Sequence, residues 1–117
     1  MRIAVTSRSG TDVDQHFGHA ERFLLFETVS GSSTSLGEVA VEKYCDYVPD
    51  QPFRHGRFDA IAEAIAGCRV VVTAMIGDFP RQELQRLGIH AMVANGPFEP
   101  ALAAAEAAVN ALDAAEK

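Results

Sequence analysis

The run Cys68-Arg69-Val70-Val71-Val72-Thr73-Ala74-Met75-Ile76 constrains the fold more than any other stretch, because it is almost unbroken in apolar and β-branched side chains. A strand with no polar face has to be covered on both sides, the condition of a strand in a parallel sheet between helical layers. The run is therefore placed at the centre of a sheet.

The rest of the chain supplies the layers. Arg2-Ile3-Ala4-Val5-Thr6 reads as a buried strand ended by the turn residues Ser7 to Gly10. Arg22 to Val29 is rich in aromatic and aliphatic residues, Ser30 to Ser35 interrupts it, and Gly37 to Tyr44 alternates with period two, which predicts a hairpin with an outer edge strand. Phe58, Ile61 and Ile65 recur at helical spacing and Gly67 closes that helix. Gly77-Asp78-Phe79-Pro80 opens a second helix ending near Gly88, and Ile89 to Val93 is a short fifth strand. A third helix is expected from about Pro100, with Leu102, Ala105, Val109 and Leu112 on one stripe. The order β-β-β-α-β-α-β-α implies a three-layer α/β domain with a five-stranded mixed sheet flanked by helices. In such sheets ligands bind at the carboxyl ends of the parallel strands, here Ser7 to Ala20 and Ile76 to Phe79.

At 117 residues and 48% hydrophobic, the chain reads as one domain, 1–117, with residues from about 113 onward frayed. A net charge of -6 argues against nucleic acid or a membrane surface as partner, since both favour a basic face. Neither a signal-type core nor a spanning apolar run occurs, and the two cysteines are too few for a disulfide framework. A cytoplasmic protein, monomeric or weakly dimeric, is expected.

Val13-Asp14-Gln15-His16-Phe17-Gly18-His19-Ala20 is the stretch richest in chemistry. It places two imidazoles, able to act as ligands or proton carriers near neutral pH, in a loop just after a strand. Gly18 is expected to allow a positive φ or close approach of a ligand. The plainer alternative is that Gly18 makes a turn, Phe17 plugs the core and the histidines are surface residues.

Hydrolytic chemistry fits less well. Asp12 and Asp14 find no further carboxylate at a core strand end except Asp78, whereas two-metal phosphoryl chemistry needs three or four. Ser7-Arg8-Ser9-Gly10 matches neither a P-loop nor a dinucleotide fingerprint. His16, His19, Cys45 and His55 all fall in predicted loops, and imidazole with thiolate suits iron, copper or an iron-sulfur cluster. The lack of CxxC or HExxH spacing argues against a permanent structural metal and for reversible binding. Arg8, Arg22, Lys43, Arg54 and Arg57 lie in or beside the same loops, where they would favour an anionic guest. Each ligand has a plainer reading: Cys45 as a strand-end thiol, His55-Gly56 as a turn and cap, Cys68 and His90 as packing residues.

With Arg2 to Thr6, the Val13 to Ala20 loop, Phe23 to Glu27, His55-Gly56, Ile76-Gly77 and Leu87-Gly88-Ile89 in view, the chain resembles the dinitrogenase iron-molybdenum cofactor biosynthesis family. That family includes NifX-type and NafY-type carriers, the C-terminal domain of NifB and small stand-alone relatives. The resemblance implies a ribonuclease H-like motif without nuclease activity. It also implies binding of iron-sulfur precursors or of the finished iron-molybdenum cofactor as cargo passed between nitrogenase cofactor-assembly proteins. By the same likeness His16 corresponds to the family's loop histidine and His55 to the histidine before the first helix. Tyr44-Cys45-Asp46 resembles a cysteine-bearing segment of some members. His19 stands where relatives vary, and Met75-Ile76-Gly77 replaces a more glycine-rich turn.

The expected protein is a non-enzymatic carrier. Its metal ligands are His16 and Cys45; His55, Arg8, Arg22 and His19 complete the binding site, and the segment from Cys45 to Gly56 is a candidate lid. Two alternatives stand beside it: a metal-free regulatory or interaction module of the same fold, and a binder of a molybdenum or copper sulfide cluster.

Overall fold

The computed structural model describes residues 1–41 and 55–115, with the backbone alone for 55–57. Among the described residues seven strands and three α-helices follow one another: β1 (Arg2–Val5), β2 (Asp12–Val13), β3 (Arg22–Val29), β4 (Ser32–Ala40), α1 (His55–Ala64), β5 (Val70–Thr73), α2 (Asp78–Arg86), β6 (His90–Val93), β7 (Gly96–Pro97) and α3 (Phe98–Ala115). Five strands form one mixed sheet in the order β4-β3-β1-β5-β6. β1, β5 and β6 run parallel, while β3 is antiparallel to both of its neighbours. The short β2 and β7 pair separately and tie the return leg of the loop after β1 to the start of α3.

The apolar run becomes β5 as its composition demands, with Val70, Val71, Val72 and Thr73 all buried. It lies beside the sheet centre rather than at it. The central strand is β1, because that four-residue segment takes β3 on one edge and β5 on the other.

Pleating divides the side chains between two cores. Ala4, Phe23 and Val71 meet Phe58, Ile61 and Ile65 of α1 and Leu84 of α2 on one face. Ile3, Val5, Val70 and Val72 meet Ala101, Leu102, Ala105 and Val109 of α3 on the other. Helices thus cover both faces, and the expected three layers are present. Leu112, the last residue of the proposed stripe, is exposed, and α3 begins two residues before Pro100. In α2 the N-cap is Gly77, without a side-chain cap, and Asp78 lies in the first turn. No helix of the described residues is long and apolar enough to cross a membrane.

The hairpin differs from expectation. β4 starts at Ser32, so the serine run read as a break is strand, and the chain reverses over Ser30 and Gly31 alone. Both have positive φ, 51° and 87°, the backbone of a tight turn whose twist matches that of the flanking strands. Pairing then runs from Val29↔Ser32 to Arg22↔Ala40, with an irregularity where Leu36 has no partner. Val39 and Val41 lean on the α1 side, as the alternation predicts; the part of that predicted strand beyond residue 41 lies outside the described residues. The turn is held to α3 by the Gly31 N–H, which donates to Glu106 Oε1 at 2.8 Å.

A Cβ on Gly31 would meet nothing within 4 Å. Gly31→Ala therefore isolates the cost of a left-handed residue, and urea unfolding should show a loss of about 1 kcal/mol.

Candidate functional site

The site is built where β1 and β5 end side by side. Each strand runs into a buried threonine: Thr6 Oγ1 lies 2.9 Å from Thr73 Oγ1, and both hydroxyls reach the Gln15 carbonyl, at 2.7 Å and 3.1 Å. Thr73 Oγ1 also lies 3.2 Å from the Met75 carbonyl. With one proton per hydroxyl the pair can satisfy these acceptors only as a small shared network, which clamps Gln15 onto the strand ends. The Ala74 N–H donates to the Gln15 carbonyl at 3.0 Å and the Phe17 N–H to the Met75 carbonyl at 2.8 Å. His16 is thereby drawn into parallel register with Met75 as an extension of the sheet.

The polypeptide between Thr6 and Gln15 is folded by hydrogen bonds to the side chains of Ser7, Ser9 and Asp14, the Ser9 hydroxyl accepting the Asp12 N–H at 3.1 Å. Ser7 Oγ donates to the Asp12 carbonyl at 2.6 Å and accepts the Gly10 N–H at 2.9 Å. Asp14 Oδ1 accepts the Arg8 N–H at 2.7 Å and the Ser9 N–H at 3.4 Å. The Arg8 N–H first, then the Ser9 hydroxyl and amide, favour the charged carboxylate and hold Asp14 below the ordinary range.

After the clamp, Phe17–His19 makes a single 3-10 turn in which the His19 N–H donates to the His16 carbonyl at 3.0 Å. Phe17 is fully buried against Phe23, with ring centroids 5.8 Å apart. In 3-10 geometry side chains three apart eclipse one another. His16 and His19 accordingly stack, 5.5 Å between centroids and 15° between planes, both exposed. Gly18 sits inside this turn and takes no positive φ, so of the two roles expected for it only close approach to a ligand stays open beside the plainer turn.

The stacked imidazoles open on a cavity of about 570 Å³ lined by Arg8, Asp14, Gln15, His16, His19 and Glu21. Of the site residues expected from the sequence, the structure brings together His16, His19 and Arg8. Arg22 is not with them: Phe23 turns into the α1 side, so Arg22 projects to the α3 side, pairs with Glu38 at 2.8 Å and lines a separate groove with Phe26 and Phe98. Cys45 lies outside the described residues, as do Lys43, Arg54 and the candidate lid up to residue 54. His55 contributes the first backbone position of α1, and nothing is described of its side chain or of that of Arg57.

The rim expected to be cationic is mixed among the described residues, with Asp14 and Glu21 lining it beside Arg8. Among them no three His, Cys, Asp or Glu side chains converge to hold an ion; what the cavity offers is the imidazole pair. Cys68 is buried beneath the sheet, and burial pushes its thiol up to about 11, an inert packing residue as expected.

Sequence reasoning missed Thr6, Thr73, Gln15 and Glu21. The signal for the threonines was present: each ends an apolar strand with a hydroxyl where an aliphatic residue would pack as well.

Thr73→Val removes one hydroxyl at nearly constant volume. A loss of about 1–2 kcal/mol should follow, with faster amide exchange at Phe17 and Ala74 than in the α3 core; unchanged exchange there would contradict the clamp. Because the folded-state pKa of Asp14 is depressed, its contribution is present above the unfolded carboxylate value and is lost as pH falls through the lower folded one. The Arg8 amide resonance should titrate in that acid window, and in Asp14→Asn it should not.

Over residues 1–108 the chain matches the family described as dinitrogenase iron-molybdenum cofactor. The FeMo cofactor biosynthesis protein NifB of Rhodobacter capsulatus is 37% identical over 107 residues, covering 89% of this chain and 23% of that protein. NifB of Sinorhizobium fredii is 33% identical over 122 residues, covering 99% of this chain and 22% of that one. The chain thus spans less than a quarter of the length of these curated relatives. Its fold is similar to that in the crystal structure of PH0822, with a TM-score of 0.63, 21% identity and 86% of each chain covered. The match over nearly the whole sequence shows that the chain belongs to the dinitrogenase iron-molybdenum cofactor family.

Proposed function

We propose that this protein is a carrier, not a catalyst. It binds an iron-sulfur cluster, the iron-molybdenum cofactor or a precursor of either as cargo and passes it between nitrogenase cofactor-assembly proteins. The observation that carries this reading is the stacked His16–His19 pair at the mouth of an open cavity, with Arg8 on its rim. Imidazole is a borderline donor suited to iron, and Arg8 offers charge and hydrogen bonds to sulfide. A site with few protein donors releases its guest more readily than a closed four-ligand site.

His16 is the favoured ligand within the described residues and Cys45 the candidate thiolate outside them; His19 and Arg8 flank the guest, and His55 remains a candidate from the sequence. Arg22 has no place in this arrangement. The sheet order, with an antiparallel β3 between β4 and β1 and parallel β5 and β6 beyond, supports assigning the fold as a ribonuclease H-like motif.

Asp14 and Glu21 favour a second reading, a metal-free interaction module, because carboxylates repel an anionic guest. Protein purified without oxygen separates the two: iron, molybdenum or copper with visible charge-transfer absorption supports the carrier, and colourless metal-free protein that takes up no added cluster supports the module. In anaerobic cluster titrations His16→Ala and Cys45→Ala should each weaken binding roughly tenfold or more, the loss seen when a ligand or its support is removed. Affinity unchanged in both would overturn the ligand assignment.

A further inference from the structure

Met75 is 57% exposed two residues beyond β5, whose four residues are all buried. Its place beside the histidine loop is fixed by backbone, not by chance of side-chain packing. The Phe17 N–H donates to the Met75 carbonyl, and His16 and Met75 are register partners in a parallel bridge. Adjacent parallel segments run about 4.8 Å apart, and partners in register project to the same side. The residues that follow confirm the side: Phe17 and Ile76 both turn into the α1 core. His16 and Met75 therefore leave together on the opposite, solvent-facing side.

We infer that Met75 is a thioether donor paired with the His16 imidazole, so that the surface beside the cavity presents a nitrogen and a soft sulfur to one thiophilic metal of the cargo. The inference rests on the carrier reading for its physiological guest, but the donor pair exists independently of it. A thioether is neutral and polarisable, binds without losing a proton, and adds no charge beside a rim that already holds two carboxylates. On a cluster whose iron carries an exchangeable thiolate, the Met75 sulfur lone pair forms the new Fe–S bond. The displaced thiolate leaves with its own electron pair and is protonated by solvent, so no redox change is required.

The test uses full-length protein carrying [13C-methyl]methionine and a synthetic [4Fe–4S] cluster with thiolate ligands, under anaerobic conditions. The Met75 methyl signal, identified by its loss in Met75→Leu, should broaden or shift on loading, while that of Met92, half-buried on the α3 side, should not. Met75→Leu should weaken cluster binding by about tenfold while leaving the unfolding midpoint within error. Equal affinity of Met75→Leu and wild type would overturn the thioether ligand and leave the carrier intact. If wild type takes no cluster at all, the carrier reading fails, and silver(I) added to Cys45→Ser protein decides the donor pair by itself. A Met75 methyl shift that disappears in His16→Ala supports the pair; a methyl signal indifferent to silver overturns it.

Discussion

Two hydroxyls at the ends of adjacent parallel strands hold the functional loop in place. β1 and β5 deliver Thr6 and Thr73 to within 2.9 Å of each other in a fully buried setting. A buried hydroxyl without a partner is costly, so the pair needs acceptors nearby, and the Gln15 carbonyl is the one both can reach. Once Gln15 is fixed, His16 falls into register with Met75, Phe17 enters the core, and the 3-10 turn carries His19 over His16. Site geometry here follows from strand pairing some distance away.

This dependence explains what could be read from the sequence. Long apolar runs and helical stripes identified five strands and three helices, and the histidine loop stood out by residue type. Strand order was less legible, because hydrophobicity reports burial and not neighbours: β1 and β5 are equally apolar, and only pairing makes β1 central. The Ser32 to Ser35 segment reads as a loop by composition, yet an edge strand facing water accepts serine, and the Ser30-Gly31 turn fixes its register. Arg22 shows the same limit at the site. It is three residues from His19 in the chain, but strand pleating sends it to the other face, where Glu38 neutralises it.

The cavity balances its charges more evenly than the surrounding sequence suggests. Arg8 is offset by Asp14 and Glu21, but the Asp14 carboxylate is already engaged by backbone amides, an arrangement that shapes the loop while lowering its readiness to act as a ligand. The donors left toward solvent are the imidazole nitrogens and, on the inference above, the Met75 thioether. A surface of that kind discriminates by softness and geometry more than by net charge.

The outer strand of the hairpin has a consequence for growth of the sheet. Among the described residues β4 has a strand partner on one side only, a nine-residue margin on which another chain can add, yet it is broken by the unpartnered Leu36, kinked at Gly37 with φ 103°, and dressed in serine, threonine and glutamate. Such a margin is irregular and well hydrated, and extended segments find little to zip against. The fold can thus leave the strand ends of β1 and β5 open for visitors without turning its β4 border into a seed for fibres.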